Sequence, residues 1–117
     1  MPQIILIDGS SLHSGSLRKL LVSCGYDVTI VPMQDINWSE NPCSLYIGCI
    51  SNLDENIIEC IQRIKAKCNT PIIIVGQETN QSDVVATLDA GANDFVSIPY
   101  SREVLKARIR VQLRDSK

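Results

Sequence analysis

Aromatic side chains are scarce in this chain of 117 residues: one Trp, three Tyr and one Phe, or 4%. A core with so few rings must be built from Ile, Val and Leu, which suits layered α/β packing better than a β-sandwich. Histidine occurs once, and the five cysteines (Cys24, Cys43, Cys49, Cys60, Cys68) are odd in number and contain no C-x-x-C pair. That excludes a conventional zinc site and a disulfide framework, and points to reduced thiols in a cytoplasmic protein. No segment approaches the ~20 consecutive apolar residues that span a bilayer. The opening MPQIILID lacks a basic n-region, so no signal peptide is expected. A net charge of -2 gives no electrostatic footprint for nucleic acid or an anionic membrane. The balance is uneven, however. Arg102, Lys106, Arg108, Arg110, Arg114 and Lys117 crowd the last segment, where only Glu103 and Asp115 oppose them. That segment reads as a solvated helix face or a docking face.

Apolar content is 44%, and the length fits one domain over residues 1–117 with a single core. Gln3 to Asp8 is an apolar run ended by a carboxylate, as in a strand buried on both faces. Ser10 or Ser11 can cap a helix carrying Leu12, Leu17, Leu20, Leu21 and Cys24, with Gly25 past its end. Asp27 to Val31 is a second strand, stopped by Pro32. Between Pro32 and Pro42 the residues leave room for one or two helical turns. Leu45 to Cys49 is a third strand. Asp54 to Lys67 is an amphipathic helix marked by Ile57, Ile58, Ile61 and Ile64. Ile72 to Gly76 is a fourth strand, Gln81 to Ala90 a helix closed by Gly91, and Asp94 to Ser97 a fifth strand. Ser101 caps a last helix carrying Val104, Leu105, Ile109 and Leu113.

Strands alternating with five helical segments, the second shortened, predict a single doubly wound parallel sheet covered on both faces. Right-handed crossovers then bring every strand C-terminus to one edge, which carries Asp8, Gly9, Cys49, Gly76, Ser97, Ile98 and Pro99. Ligand chemistry in such sheets sits at that edge. The turn DGSSLHSG after the first strand lacks the Lys and the glycine spacing of a phosphate-binding loop, so helix capping explains it better.

Four stretches carry a resemblance to a known family. IILIDGS resembles the first strand of a response-regulator receiver domain, which normally ends in two acids. TPIIIVG resembles its fourth strand, which normally ends in Thr or Ser. AGANDFVSIPY is similar to its fifth-strand region, where Lys precedes Pro, and VLKARIR is similar to the last helix of the OmpR/PhoB class. The resemblance implies a flavodoxin-like five-stranded sheet ordered 2-1-3-4-5, two-component signalling, and a cis bond at Ile98-Pro99.

Departures from the family pattern lie at its reactive positions. Cys49, or Gly48 with a one-residue gap, falls on the phospho-accepting Asp; Gly9 replaces the second acid, Gly76 the hydroxyl residue and Ile98 the Lys. Asp8 is the only retained acidic ligand position. Phosphoryl transfer needs an acceptor, Mg²⁺ and compensating cations, so the resemblance implies an atypical receiver with no catalytic residue, metal or cofactor. Asp54 and Glu78 are candidates for a relocated acid site, Cys49 for a thiol sensor, and the space between Asp8 and Ile98 for a small ligand. Gly76 and Phe95 match the switch positions, with the missing side chain at Gly76 leaving room for an inward ring.

What remains is a face. In the OmpR/PhoB class the fourth helix, fifth strand and fifth helix dimerise through charged pairs. Matching positions here are Asp94 with Arg108, Asp89 with Arg110, and an apolar Val84 with Val104. The expectation is a phosphorylation-independent homodimer or protein-docking module. It would regulate transcription through an effector domain outside these residues, without itself binding DNA or membrane.

Overall fold

The computed structural model describes residues 2–9, 13–35, 43–51, 55–77 and 81–115. Five strands form the sheet: β1 (Gln3–Gly9), β2 (Asp27–Pro32), β3 (Leu45–Ile50), β4 (Ile72–Gly76) and β5 (Asp94–Ser97). Four α-helices accompany them: α1 (Ser14–Ser23), α2 (Glu55–Lys67) and α3 (Gln81–Ala90) between strands, and α4 (Arg102–Asp115) after the last. All strand pairs are parallel, in the order β2-β1-β3-β4-β5. The shortened second helical segment contains a single 3-10 turn at Met33–Asp35; residues 36–42, which the sequence reading also assigned to it, lie outside the described residues.

Alternation along the strands divides the core into two layers. Leu6, Ile47, Cys49, Ile73 and Val75 face Leu17, Leu20 and Leu21 of α1 and Leu105 and Ile109 of α4. Ile5, Ile7, Tyr46, Ile50 and Ile74 face Ile57, Cys60, Ile61 and Ile64 of α2. Every residue of β3 and β4 is buried, as central strands covered on both sides must be. Helix α3 contributes less: Thr87 is its one fully enclosed side chain, donating to the Asp83 carbonyl at 2.9 Å.

Helix ends follow local chemistry. At the C-terminus of α1, Tyr26 N–H donates to Leu21 O and Gly25 N–H to Val22 O, a Schellman closure that needs the positive φ of Gly25 (90°). Gly91 plays the corresponding part after α3 (φ 126°). Ser101 Oγ accepts the Val104 N–H at 3.3 Å, the expected cap of α4. Two expectations need correction. Helix α1 begins at Ser14 with His13 at the N-cap and no side-chain cap, while Ser10, Ser11 and Leu12 lie outside the described residues. Cys24, counted with the apolar stripe, is exposed because it already belongs to the turning C-terminus. Strands β1, β2 and β3 also run one residue further, to Gly9, Pro32 and Ile50.

The opposite, N-terminal edge of the sheet is tied by one amide. Asn93 Oδ1 accepts from the Ile72 N–H at 3.0 Å and from Lys65 Nζ at 2.9 Å, while Lys65 Nζ also donates to Thr70 O. Partial burial lowers the Lys65 pKa.

Candidate functional site

Strand register assembles the C-terminal edge as the sequence implied. Asp8 stands beside Cys49 and Gly9 beside Ile50 across β1 and β3; Cys49 stands beside Val75, and Gly76 beside Ser97. Because side chains alternate, these residues separate onto two faces. Cys49 and Ile98 join the layer under α1 and α4, whereas Ile50 and Phe95 join the layer under α2.

On the first face, Asp8 is half-buried and accepts a hydrogen bond from Ser14 Oγ at 2.9 Å. The buried serine at the head of α1 thus orients this carboxylate. Cys49 is 0% exposed. Tyr100 lies nearby, its hydroxyl pKa raised by burial and then by the Cys49 thiol. Ile98 offers no charge to this edge and donates its backbone N–H to Gly76 O at 2.9 Å. Its bond to Pro99 is cis, as the resemblance implied.

On the second face the sequence reading missed the central residue. A Cβ at Gly9 would lie 2.9 Å from Ile50 Cγ2, and one at Gly76 would lie 2.7 Å from Ile50 Cγ1 and 3.3 Å from its Cδ1. The Ile50 side chain therefore fills the room that the two absent side chains leave, and is 3% exposed. The inward space expected for the Phe95 ring over Gly76 is taken by Ile50; Phe95 is half-buried against the same apolar cluster. Gly48 lies under α2, one step below the edge on the face of Ile50, since a Cβ there would meet Ile74 Cδ1 at 2.9 Å and Ile57 Cδ1 at 3.5 Å. Of the two alignments for the acceptor, only Cys49 is paired with Asp8. Two glycines widely separated in the chain were the available signal, but nothing in a linear reading says which side chain fills the gap.

Chemically this edge offers one oriented carboxylate, a buried thiol and an apolar plug. Among the described residues no three His, Cys, Asp or Glu side chains converge as a metal site. Asp54 and Glu78 lie outside the described residues. At the other end of the sheet, burial raises the Cys43 pKa, while the side-chain hydrogen bond with Tyr46 opposes that rise. Burial also pushes the Cys60 thiol up to about 12.

The second candidate region is the α3–β5–α4 face. Arg108 Nη1 donates to both carboxylate oxygens of Asp94, at 2.8 and 2.9 Å, within one chain. Asp94 Oδ1 also accepts the Phe95 N–H at 2.8 Å. Asp89 and Arg110 are exposed, and no ion pair joins them among the described residues. Val84 is half-buried near the start of α3. Val104 and Val111 border a shallow groove of about 360 Å³, together with Asp94, Ala107, Arg108 and Gln112. Val85 and Leu88 of α3 and Val111 of α4 are exposed large apolar side chains that the sequence reading did not single out.

No protein-family model matches the chain. The response regulator MprA of Mycobacterium avium (strain 104) is 30% identical across 98% of this chain and 52% of its own length. The Methanospirillum hungatei JF-1 receiver domain protein (CheY-like) superposes with a TM-score of 0.84 at 20% identity, covering 99% of this chain and 96% of that one. The chain is a CheY-like response-regulator receiver domain. The receiver matches response regulator ArlR of Staphylococcus epidermidis at higher identity over a shorter span, 41% across 62% of this chain and 33% of that protein. It also superposes on the receiver domain of sensor histidine kinase PA1611 from Pseudomonas aeruginosa PAO1, with a TM-score of 0.80 at 22% identity over 97% of this chain and 98% of that one. That structure carries a magnesium ion in its active-site cleft. This receiver spans about half the length of the curated relatives it matches. Among the described residues no helix is long and apolar enough to cross a membrane.

Proposed function

We propose that this receiver, one unit over residues 1–117, signals without a phosphoryl group and acts as a protein-interaction module. The observation that carries the reading is the Ile50 side chain seated between Gly9 and Gly76, at the edge where the transferred group would need oxygen and nitrogen ligands. Phosphoryl transfer runs on positioning and charge stabilisation by Mg²⁺ and cationic groups. Here the acceptor position carries a thiol with no exposure, the Lys position an isoleucine, and one carboxylate remains. Mg²⁺ is usually held by one or two carboxylates plus phosphate, so Asp8 alone makes a poor site. Full burial of Cys49 equally disfavours a thiol sensor, because reactive thiolates sit in accessible, electropositive surroundings.

Signalling then runs through the α3–β5–α4 face, with a second copy or a protein partner docking there. Exposed Val85, Leu88, Val104 and Val111 supply apolar area, and Asp89 and Arg110 offer unlike charges on the two helices. The module serves a cytoplasmic two-component-type regulator of transcription. It is not itself an enzyme and does not itself bind nucleic acid or membrane. Incubation with acetyl phosphate and Mg²⁺ tests the first half: no aspartyl phosphate is expected, and stable Mg²⁺-dependent labelling would overturn the reading. Sedimentation tests the second: Val104→Asp should weaken self-association or partner binding, and a chain that stays monomeric and partner-free in both forms removes the interaction role.

A further inference from the structure

We propose that Ile50 is a built-in wedge that holds the end of β4, and through it the α3–β5–α4 face, in one arrangement. The inference rests on the phosphate-independent reading above and adds how the degenerate edge communicates with the docking face.

Neither Gly9 nor Gly76 has a left-handed backbone; the described glycines with positive φ are Gly25 and Gly91. An L side chain would therefore be conformationally acceptable at both positions, and glycine inside a strand weakens it. Space is what both positions require. Any Cβ would come within 2.9 Å of Ile50 at Gly9 and 2.7 Å at Gly76, closer than packed carbons can stand. One isoleucine thus bridges the ends of β1 and β4 across β3.

The link to the face is short. Gly76 O accepts the Ile98 N–H at 2.9 Å, which fixes the segment leading from β5 into α4. Gly76 pairs with Ser97 and Ile74 with Phe95 across the β4–β5 ladder. Phe95 packs on the cluster that contains Ile50, and its N–H is held by Asp94, the residue that binds Arg108 of α4. Displacing the end of β4 must therefore move Ile98, Phe95 or both, and with them the base of the groove. Packed cores answer such displacements by discrete rearrangement rather than smooth deformation.

Amide hydrogen exchange under native conditions tests this on the wild type, Ile50→Val and Ile50→Ala. Removing the wedge should speed exchange at Phe95 and Ile98 by about tenfold in Ile50→Ala and about threefold in Ile50→Val, relative to amides of β1 and α1 in the same protein. Ile50→Val trims the wedge by Cδ1 alone, leaving Cγ2 against Gly9 and Cγ1 against Gly76, which is why its rise is smaller; it serves if the alanine variant does not fold. Unchanged exchange at residues 94–98, or an equal rise across all elements, overturns the wedge. Acetyl-phosphate labelling separates the two readings. A labelled wild type overturns phosphate independence whatever the exchange pattern, whereas a uniform pattern in an unlabelled chain overturns the wedge alone.

Discussion

Cys49→Asp is the simplest attempt to restore an acceptor, and its cost can be worked from the surroundings. The two side chains are close in size, so packing changes little. What changes is charge. Cys49 is 0% exposed, in the layer containing Leu17, Leu21, Leu105 and Ile109, and its neighbour across β1 is the carboxylate Asp8. Full burial raises a carboxyl pKa by up to 3–5 units, and Asp8 adds repulsion of the same sign. A shift of about 3 units, at ~1.4 kcal/mol per unit, amounts to about 4 kcal/mol. That is a large part of the 5–15 kcal/mol that ordinarily holds a domain together. The introduced group would have its folded pKa above the unfolded value of ~3.9, so its stabilising protonated form is fully present below about pH 4 and stability falls as pH rises towards ~7. Urea unfolding of both proteins between pH 4 and pH 8 measures this, the wild type subtracting every other titration. The difference should widen steadily with pH. A variant that tracks the wild type across the whole range would refute the claim that position 49 is dry and without a cation.

Three further outcomes follow from contacts described above. Gly76→Ala should destabilise by ~1–3 kcal/mol through overpacking against Ile50. Adding Ile50→Ala should recover ~1 kcal/mol or more of that loss as a coupling term in denaturant titrations, and strict additivity would show that no contact exists. Asn93→Ala should cost ~1–3 kcal/mol, because it leaves the buried Ile72 N–H without its acceptor, readable as a lower midpoint in thermal or urea unfolding. Timed alkylation read by mass spectrometry should modify exposed Cys24 first, with Cys49 and Cys60 protected until the protein unfolds. The Cys60 value of about 12 leaves almost no thiolate at neutral pH.

Much of the fold could be read directly from the chain. The bounds of β4, α3 and β5 match the sequence reading because Pro71, Gly76 and Gly91 punctuate an otherwise continuous apolar pattern. The start of α1 could not be placed from capping chemistry, since Ser10, Ser11, His13 and Ser14 all stand near the turn and only backbone geometry selects among them. The last residues of β1 and β3 escaped notice for a related reason: Gly9 and Ile50 extend the ladder by pairing with each other, a non-local property. The edge residues Asp8, Cys49, Gly76 and Ile98 were visible because strand ends in a parallel sheet must coincide. Ile50 was not. Its role exists only in the fit between one branched side chain and two missing ones on different strands.

The ion pair between Asp94 and Arg108 has a consequence for how this surface should respond to solvent. Each of these two charges already has its counter-charge at 2.8–2.9 Å in the isolated chain, so this pair leaves little net attraction for a newcomer, and any salt-sensitive share of docking falls to Asp89 and Arg110. Assembly driven by the valines and Leu88 alone would be nearly indifferent to sodium chloride, tighten in sulfate and loosen on cooling.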